Sequence, residues 1–275
     1  MLNVAILYIC IGEYSIFWKD FYDSFEEKFL SNCHKEYYVF TDNMELYKNN
    51  EDNVHIIEQK NLGWPGNTLF RFKMFLTQKQ QLLKFDYIFF LNANAVCMKE
   101  VGEEFLPHVE SLLFVQHPGF YNVPNYRFPY DRNKKSSAYI PYKKGNVYVT
   151  GAINGGKSKG FLQMCEELSR EIDMDYERGI IALWHDESHI NKYILNRSDY
   201  KLLPPSYIYT EGKTLPFSPI ILARDKNKFI NINKIKSIKK WNPGYKHWKN
   251  VIICMFYDIE KRILKSSHTR NGFFF

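Results

Sequence analysis

Strand-like and helix-like segments alternate along most of this chain, and no other feature constrains its fold as strongly. Residues 3–11 form a nearly continuous apolar run, which is typical of a strand buried on both faces. The phenylalanines of residues 17–30 recur at helical spacing, with charged side chains on the opposite face. Further strands are predicted at 36–41, 54–57, 86–91, 112–115 and 146–150, and further helices at 68–83, 160–172 and 180–195. This alternation predicts an α/β domain with a mostly parallel sheet, which binds ligands at the carboxyl ends of its strands.

Positive charge is concentrated at the C-terminal end. The chain carries a net charge of +7, yet residues 226–275 hold twelve lysines and arginines against two acidic residues, so residues 1–225 carry −3. A basic end on a nearly neutral body favours an anionic partner, such as a phosphate group, a nucleic acid or a membrane surface. We therefore divide the chain into a domain of residues 1–225 and a basic, aromatic segment of residues 226–275.

Composition excludes several classes of protein. With 45% hydrophobic and 24% charged residues, the chain is globular rather than disordered, collagenous or coiled coil. Its five cysteines include no CxxC pair, so neither a disulfide framework nor a zinc cluster is expected, and reduced thiols fit a cytoplasmic chain. The apolar N-terminal run is too short to span a bilayer, and no membrane span is expected elsewhere.

Residues 151–158 match the phosphate-binding pattern GxxxxGK(S/T). In a P-loop, the backbone amides and Lys157 would hold phosphates, and Ser158 would hold magnesium. A predicted strand precedes the segment and a predicted helix follows it, but no second strand ends in the aspartate that usually orders the metal. The other interpretation is a glycine-rich turn that brings the backbone close to a ligand.

Two histidines and two carboxylates lie together in residues 185–189. His185 and His189 share a helix face and could bind zinc, but Asp186 and Ser188 occupy the positions where zinc proteases need glutamate. The adjacent carboxylates of Asp186 and Glu187 have two interpretations. They form an acidic helix start that complements the helix dipole, or they provide a catalytic carboxylate near a sugar or a phosphate.

Asn92-Ala93-Asn94 follows the strand predicted at 86–91. Amide oxygens are uncharged and poor metal ligands. Asparagine commonly caps a strand end and starts a turn, so on its own this motif carries little functional information.

Taken together, six blocks of sequence resemble family 6 of the glycosyltransferases, which contains the blood-group A and B transferases, the α1,3-galactosyltransferases and shorter bacterial relatives. The blocks lie at residues 37–42, 64–71, 117–121, 138–141, 151–156 and 184–193. The last block, WHDESHINKY, is long and specific. The resemblance implies the GT-A fold, a Rossmann-like nucleotide-sugar domain. It also makes the P-loop match a coincidence, because those glycines fall on the family's sugar-pocket segment.

The resemblance also implies a reaction and a set of site residues. The family transfers galactose or N-acetylgalactosamine from a UDP-sugar to a galactoside in α1,3 linkage, with retention at the anomeric carbon. Glu187 would be the catalytic residue under the anomeric carbon, either as a nucleophile or as a stabiliser of an oxocarbenium ion. Donor-binding roles fall on Ile9, Ile11, Tyr14, Arg71, Thr150, Gly151, Ala152 and Asp186. Acceptor-binding roles fall on His117, Trp184 and Glu187.

Asn92 and Asn94 depart from the animal members, which carry Asp-x-Asp for manganese. Two neutral amides at these donor-site positions disfavour tight divalent binding, so the resemblance is to a bacterial branch that works without metal. We therefore expect no metal ion and no other cofactor. The leaving UDP still needs its charge balanced, and the nearest basic residues are Arg224, Lys226 and Lys228. Of these three we favour Lys228.

The small Gly151–Ala152 pair leaves space for an acetamido group, which favours UDP-N-acetylgalactosamine over UDP-galactose as the donor. The resemblance suggests a terminal β-galactoside as the acceptor, with a fucosylated, H-antigen-like one favoured. UDP-galactose as the donor stays open, as does a non-catalytic binder of glycans or nucleotide sugars. A nucleic-acid binder is suggested only by the basic segment, which carries no recognised motif.

The basic segment has a second predicted role. Residues 226–275 would close the donor site and could also contact anionic lipid, at about 1 kcal/mol per Lys or Arg. The sequence begins directly at the catalytic domain, so we expect a cytoplasmic enzyme of a prokaryote, with peripheral contact at the inner face of the membrane as an option.

Overall fold

The computed structural model describes residues 1–237, so residues 238–275, and with them most of the predicted basic segment, lie outside the described residues. In chain order, the strands of the described part are β1 (Asn3–Cys10), β2 (His34–Thr41), β3 (Val54–Glu58), β4 (Tyr87–Leu91), β5 (Ala95–Cys97), β6 (Leu112–Gln116), β7 (Val149–Lys157), β8 (Tyr200–Leu203), β9 (Tyr209–Thr210) and β10 (Ile221–Ala223). The α-helices are α1 (Trp18–Lys28), α2 (Gly66–Leu69), α3 (Arg71–Leu76), α4 (Lys79–Leu82), α5 (Ser158–Glu177), α6 (Asp186–Tyr193) and α7 (Ile232–Ser237).

The strands form two sheets. The larger one has seven strands in the order β3-β2-β1-β4-β7-β6-β8, and the smaller one has the order β5-β10-β9. In the larger sheet β1 pairs in parallel with β2 and β4, β2 with β3, and β6 with β8. Strand β7 is antiparallel to both β4 and β6, so it alone runs against the other six. The predicted α/β domain with a mostly parallel sheet is thus confirmed.

Both faces of the larger sheet are covered, which explains the continuous apolar run of β1. Val4, Ile6 and Tyr8 pack with the buried face of α1, whereas Ala5 and Leu7 pack with residues of α3 and α5 on the other side. Alternate side chains of a strand point to opposite faces, so a strand covered on both sides needs apolar residues at every position. Each such fully buried side chain contributes about 1.5–3 kcal/mol of hydrophobic free energy.

Two of the predicted helices are divided or shortened in the structure. The helix predicted at 68–83 is divided into α2, α3 and α4, with Phe70 and Gln78 at the junctions. The helix predicted at 180–195 begins only at Asp186, because His185 adopts a φ of 53° that a right-handed helix does not accommodate. Residues 122–145 contain a single short 3-10 turn at Asn125–Arg127, as expected for an irregular segment.

The glycine-rich segment of residues 151–156 lies within β7, so its interpretation as a turn was wrong. A Cβ atom on Gly155 would lie 2.2 Å from Phe89 Cδ1, and one on Gly156 would lie 2.3 Å from the Ser111 carbonyl oxygen. These glycines therefore permit close packing of β7 against its neighbours. Among residues 1–237, no helix combines the length and the apolar character that crossing a bilayer requires.

Candidate active site

A cleft opens at the carboxyl ends of β1 and β4, where the sequence predicted it. One cavity of about 470 Å³ is lined by the predicted donor residues Ile9, Ile11, Tyr14, Arg71 and Asn92, among others. A second cavity of about 620 Å³ is lined by Asn94, Trp184 and Arg224, among others. The two cavities share lining residues, namely Tyr14, Trp64, Thr68, Lys226 and Ile235, so they form one continuous cleft.

Beside this cleft, Asp186 and Arg71 form a buried ion pair. Arg71 Nε lies 3.1 Å from Asp186 Oδ2, and the exposed fraction of the Asp186 side chain is 1%. Burial raises the pKa of Asp186 to about 7, and the positive charge of Arg71 acts in the opposite direction. Arg71 also donates from Nη1 to the Gly151 carbonyl oxygen at 2.8 Å and lies over the ring of Phe90, 4.4 Å from its centroid. Arg71 thus joins the first cavity to the start of α6 and to β7.

Glu187, the next residue of α6, is held by one donor on each carboxylate oxygen. The Tyr148 hydroxyl donates to Oε1 at 2.7 Å, and the Gly151 amide donates to Oε2 at 2.8 Å. A Cβ atom on Gly151 would lie 3.2 Å from Asp186 Oδ2 and 3.2 Å from Glu187 Cβ, so glycine allows this close approach. The arrangement presents an oriented carboxylate next to the donor cleft.

The Asn92-Ala93-Asn94 motif is engaged in hydrogen bonds within the protein. The backbone N–H of Asn92 donates to the Ala152 carbonyl oxygen at 2.9 Å, and the side-chain Nδ2 of Asn92 donates to Asn94 Oδ1 at 3.2 Å. Asn94 Nδ2 donates to the Arg224 carbonyl oxygen at 2.6 Å. These neutral amides bring no negative charge to a divalent cation, and residues 1–237 contain no group of three or more His, Cys, Asp or Glu side chains that could hold one.

The three predicted basic residues have different surroundings. Lys226 lines both cavities, and its burial, with the positive charges of Arg71 and Lys236, lowers the pKa of Lys226 to about 8. Arg224 lines the second cavity, but its Nη1 lies 2.6 Å from Asp20 Oδ2. Lys228, which the sequence favoured, lies outside the lining of both cavities, and its Nζ pairs with Glu211 Oε1 at 2.6 Å. Of these two lysines, Lys226 lines the cleft and Lys228 does not.

The predicted acceptor residues flank the carboxylates. Trp184 is 46% exposed and lines the second cavity, two residues before Asp186. The His117 ring lies 5.7 Å from the ring of Tyr148, and burial lowers the pKa of His117 while the charge of Glu187 acts against this shift. Neither His117 nor Glu187 lines the two cavities described above, so the cavities alone do not delimit the predicted site.

Comparison with known proteins identifies the family. The model of glycosyltransferase family 6 matches residues 1–237. The chain belongs to this family. It is therefore a hexosyltransferase, as predicted, and its mixed α/β fold is consistent with a GT-A-like glycosyltransferase that takes a nucleotide-sugar donor and a glycan acceptor.

Three relatives illustrate the range of the family. The O-antigen biosynthesis glycosyltransferase WbnI of Escherichia coli is 37% identical over 235 residues, which cover 84% of this chain and 99% of the relative. The globoside alpha-1,3-N-acetylgalactosaminyltransferase 1 of Gallus gallus is 31% identical over 82% of this chain and 68% of the relative. The histo-blood group ABO system transferase 2 of Rattus norvegicus is 28% identical over 76% of this chain and 64% of the relative.

The other motifs have structural roles in this glycosyltransferase. Lys157 Nζ donates to the His108 carbonyl oxygen, and Ser158 Oγ donates to the Phe85 carbonyl oxygen. The last two residues of the P-loop pattern therefore bind backbone carbonyls of the protein and stabilise the end of β7. His185 lines the second cavity, whereas His189 is buried beside Glu171 and Asp175. A zinc site shared by the two histidines does not form.

Sequence reasoning missed Tyr148 as the hydrogen-bond partner of Glu187. A tyrosine in an apolar strand normally indicates core packing, and Tyr148 is indeed 1% exposed within a cluster of rings. The available signal was the strand predicted at 146–150, in which Tyr148 lies two residues before Thr150 and therefore on the same face. Trp64 and Thr68, which line both cavities, were missed as individual donor-site residues as well.

Proposed function

We propose that this glycosyltransferase transfers N-acetylgalactosamine from UDP-N-acetylgalactosamine to a terminal β-galactoside in α1,3 linkage, with retention and without a metal ion. A fucosylated, H-antigen-like acceptor is favoured. The observation that carries the proposal is the oriented Glu187 carboxylate beside the Asp186–Arg71 pair at the edge of the cleft. One relative supports the linkage and the sugar, since it is named globoside alpha-1,3-N-acetylgalactosaminyltransferase 1.

Retention needs negative charge near the anomeric carbon on the face opposite the leaving group. A Glu187 carboxylate with one hydrogen bond on each oxygen still has lone pairs available for this role. It attacks the anomeric carbon to form a covalent sugar, or it stabilises an oxocarbenium ion while the acceptor enters from the face of the leaving group. Asp186 would hydrogen-bond the donor sugar, with its charge balanced by Arg71.

Departure of UDP develops negative charge that Lys226 would balance. Its place in both cavities makes Lys226 a better partner for the diphosphate than Lys228, whose charge is already paired with Glu211. A preorganised donor to a developing anion contributes about 3 kcal/mol to the stabilisation of the transition state. Such a lysine would make a divalent cation dispensable.

The choice of N-acetylgalactosamine rests on the small size of two residues of β7. Gly151 and Ala152 are small, Gly151 lies close to both carboxylates, and Ala152 is joined to Asn92 of the first cavity. An acetamido group would occupy this space, and a larger side chain there would exclude it.

Sugar transfer to 2′-fucosyllactose tests the proposal. We expect turnover with UDP-N-acetylgalactosamine that is unchanged by excess EDTA and is faster than turnover with UDP-galactose. Equal or faster turnover with UDP-galactose would instead identify a galactosyltransferase, and a strict need for manganese would overturn metal independence. UDP binding with no transfer to any β-galactoside would favour a non-catalytic binder.

A further inference from the structure

We propose that Tyr148 is a positioning residue that holds the Glu187 carboxylate in its reactive orientation. The Tyr148 hydroxyl donates to Glu187 Oε1 at 2.7 Å. Tyr148 lines neither cavity of the cleft, so within the described residues its hydroxyl reaches the site through Glu187. The inference rests on the proposed function, in which Glu187 acts at the anomeric carbon.

Burying the Tyr148 hydroxyl without a hydrogen bond would cost free energy, and Glu187 provides the hydrogen-bond acceptor. Tyr148 is 1% exposed, and burial together with the negative charge of Glu187 raises the pKa of Tyr148 well above its usual value. The phenol therefore keeps its proton over the whole working range of pH and remains a donor. An aromatic core needs only a ring at this position, whereas a buried phenol oxygen needs a partner.

Neighbouring rings hold the phenol in place. The centroid of the Tyr148 ring lies 5.1 Å from Phe120, 5.5 Å from Tyr130 and 6.0 Å from Phe128. These contacts restrict the ring to one orientation, so the hydroxyl is directed at Glu187 before any substrate binds. A donor that is already fixed in place costs no reorganisation during the reaction.

Two donors, Tyr148 just before β7 and Gly151 within it, restrain the carboxylate against rotation. Tyr148 holds Oε1 and the Gly151 amide holds Oε2, so the carboxylate cannot turn without losing one of these bonds. The terminal torsion of glutamate is otherwise broad and would allow many orientations. Misplacement of a reacting group by about 1 Å costs on the order of 100-fold in rate. Loss of the Tyr148 bond should therefore reduce turnover more than it reduces binding.

The test is Tyr148→Phe, with Tyr130→Phe as a matched control. Tyr130 belongs to the same ring cluster, and its hydroxyl donates to the Val147 carbonyl oxygen rather than to Glu187. We expect Tyr148→Phe to lower kcat by about 10- to 100-fold, while KM for the donor and Kd for UDP change less than about twofold. Tyr130→Phe should keep kcat near the wild-type value, since it removes a buried hydroxyl without touching the carboxylate.

A double-mutant cycle with Glu187→Gln shows whether Tyr148 acts through Glu187. The glutamine variant should lose most transfer, and adding Tyr148→Phe should lower the remaining rate by less than about twofold. An equal loss in both backgrounds would overturn the inference, as would a wild-type kcat in Tyr148→Phe or an equal loss in Tyr130→Phe.

Thermal unfolding of each variant controls for misfolding. If Tyr148→Phe does not fold, Tyr148→Met gives the same readouts, because methionine adapts to irregular space and carries no hydroxyl donor. Absence of transfer by the wild-type protein would overturn the proposed function itself. A wild-type kcat in a folded Tyr148 variant would overturn only the role of Tyr148.

Discussion

Lys226 is half-buried and lies in the cleft. Its Nζ lies 5.2 Å from the centroid of the Tyr14 ring, and burial with the charges of Arg71 and Lys236 lowers the pKa of Lys226 to about 8. The free protein therefore loses this positive charge as the pH rises through about 8. A bound diphosphate would favour the charged form, so binding of UDP above this pH would take up a proton.

We predict that Kd for UDP rises about tenfold between pH 7 and pH 9, because about a tenth of Lys226 stays charged one unit above its pKa. Isothermal titration at the two pH values, corrected for titration of UDP itself, measures this. Lys226→Met should bind UDP more weakly at pH 7 and lack the extra pH dependence. The exposed Lys234→Met on α7 should behave as the wild type. The same pH dependence in Lys226→Met would exclude Lys226 as its source.

The same pKa shift affects folding with the opposite sign. Because folding lowers the pKa of Lys226 from 10.5, the lysine disfavours the folded state below pH 8, and this penalty decreases as the pH rises from 8 to 10.5. A rise in pH therefore weakens UDP binding while it relieves the folding penalty of this residue.

Single residues of the site were predictable where their chemistry is unusual for a soluble domain. Asp186, Glu187 and Arg71 are charged residues in two of the blocks that resemble the family, and the structure places Arg71 beside Asp186. The sequence favoured Lys228 and could not show that Lys226 lines the cleft, because the 3-10 turn at Lys226–Lys228 decides which lysine faces it. Such a turn depends on Asp225, whose side chain accepts from the Asn227 amide, and on tertiary contacts.

At the level of elements, β7 depends on glycines where it meets its neighbours. A Cβ atom on Gly155 would lie 2.2 Å from Phe89 Cδ1 and 2.4 Å from the Ile88 carbonyl oxygen. Neither the backbone nor a ring held in the core can give way without shifting β4. The antiparallel pairing of β7 with β4 therefore tolerates no side chain here.

We expect Gly155→Ala to lower the free energy of unfolding by about 3 kcal/mol, as overpacking in a core does. Urea denaturation measures the change. Gly102→Ala is the control, because its Cβ would meet only the flexible end of Glu104 and stability should stay within about 1 kcal/mol of wild type. Wild-type stability in Gly155→Ala would show that β7 and β4 can separate without penalty.

The order of elements was predictable from periodicity, but their exact bounds were not. The apolar residues 180–183 extend the helical pattern of α6, yet the Leu183 amide donates to Asp131 Oδ2 at 2.8 Å. This long-range hydrogen bond holds the segment outside a helix. Periodicity reports which face is buried, and it contains no information about such a distant partner.

On the scale of the whole molecule, segments that are far apart in sequence form the cleft. Its walls include Ile9 of β1, Arg71 of α3, Asn92 after β4 and Ile235 of α7. A ligand in the first cavity therefore contacts both ends of the described chain. The order of the seven strands was not predictable, because the insertion of β7 between β4 and β6 depends on pairing between distant segments.

We predict that UDP at 100 times its Kd raises the free energy of unfolding by about 2.7 kcal/mol. Hydrogen exchange should slow at amides of residues 225–237, because Lys226 and Ile235 would close on the ligand. Amides of β8, at the far edge of the larger sheet, serve as the internal control and should show a smaller change. Unchanged exchange at 225–237 would mean that this segment does not contact UDP.

Gly151 links two properties of an enzyme that are usually adjusted separately. Its carbonyl oxygen accepts from Arg71, its amide donates to Glu187, and its missing side chain allows Asp186 and Glu187 to lie close to β7. Any replacement chosen to alter sugar preference there would also displace the carboxylate that governs speed. A library of variants aimed at new donor sugars should consequently vary Thr150 and Ala152 and keep Gly151. A substitution at Gly151 that changed donor selectivity would also slow catalysis.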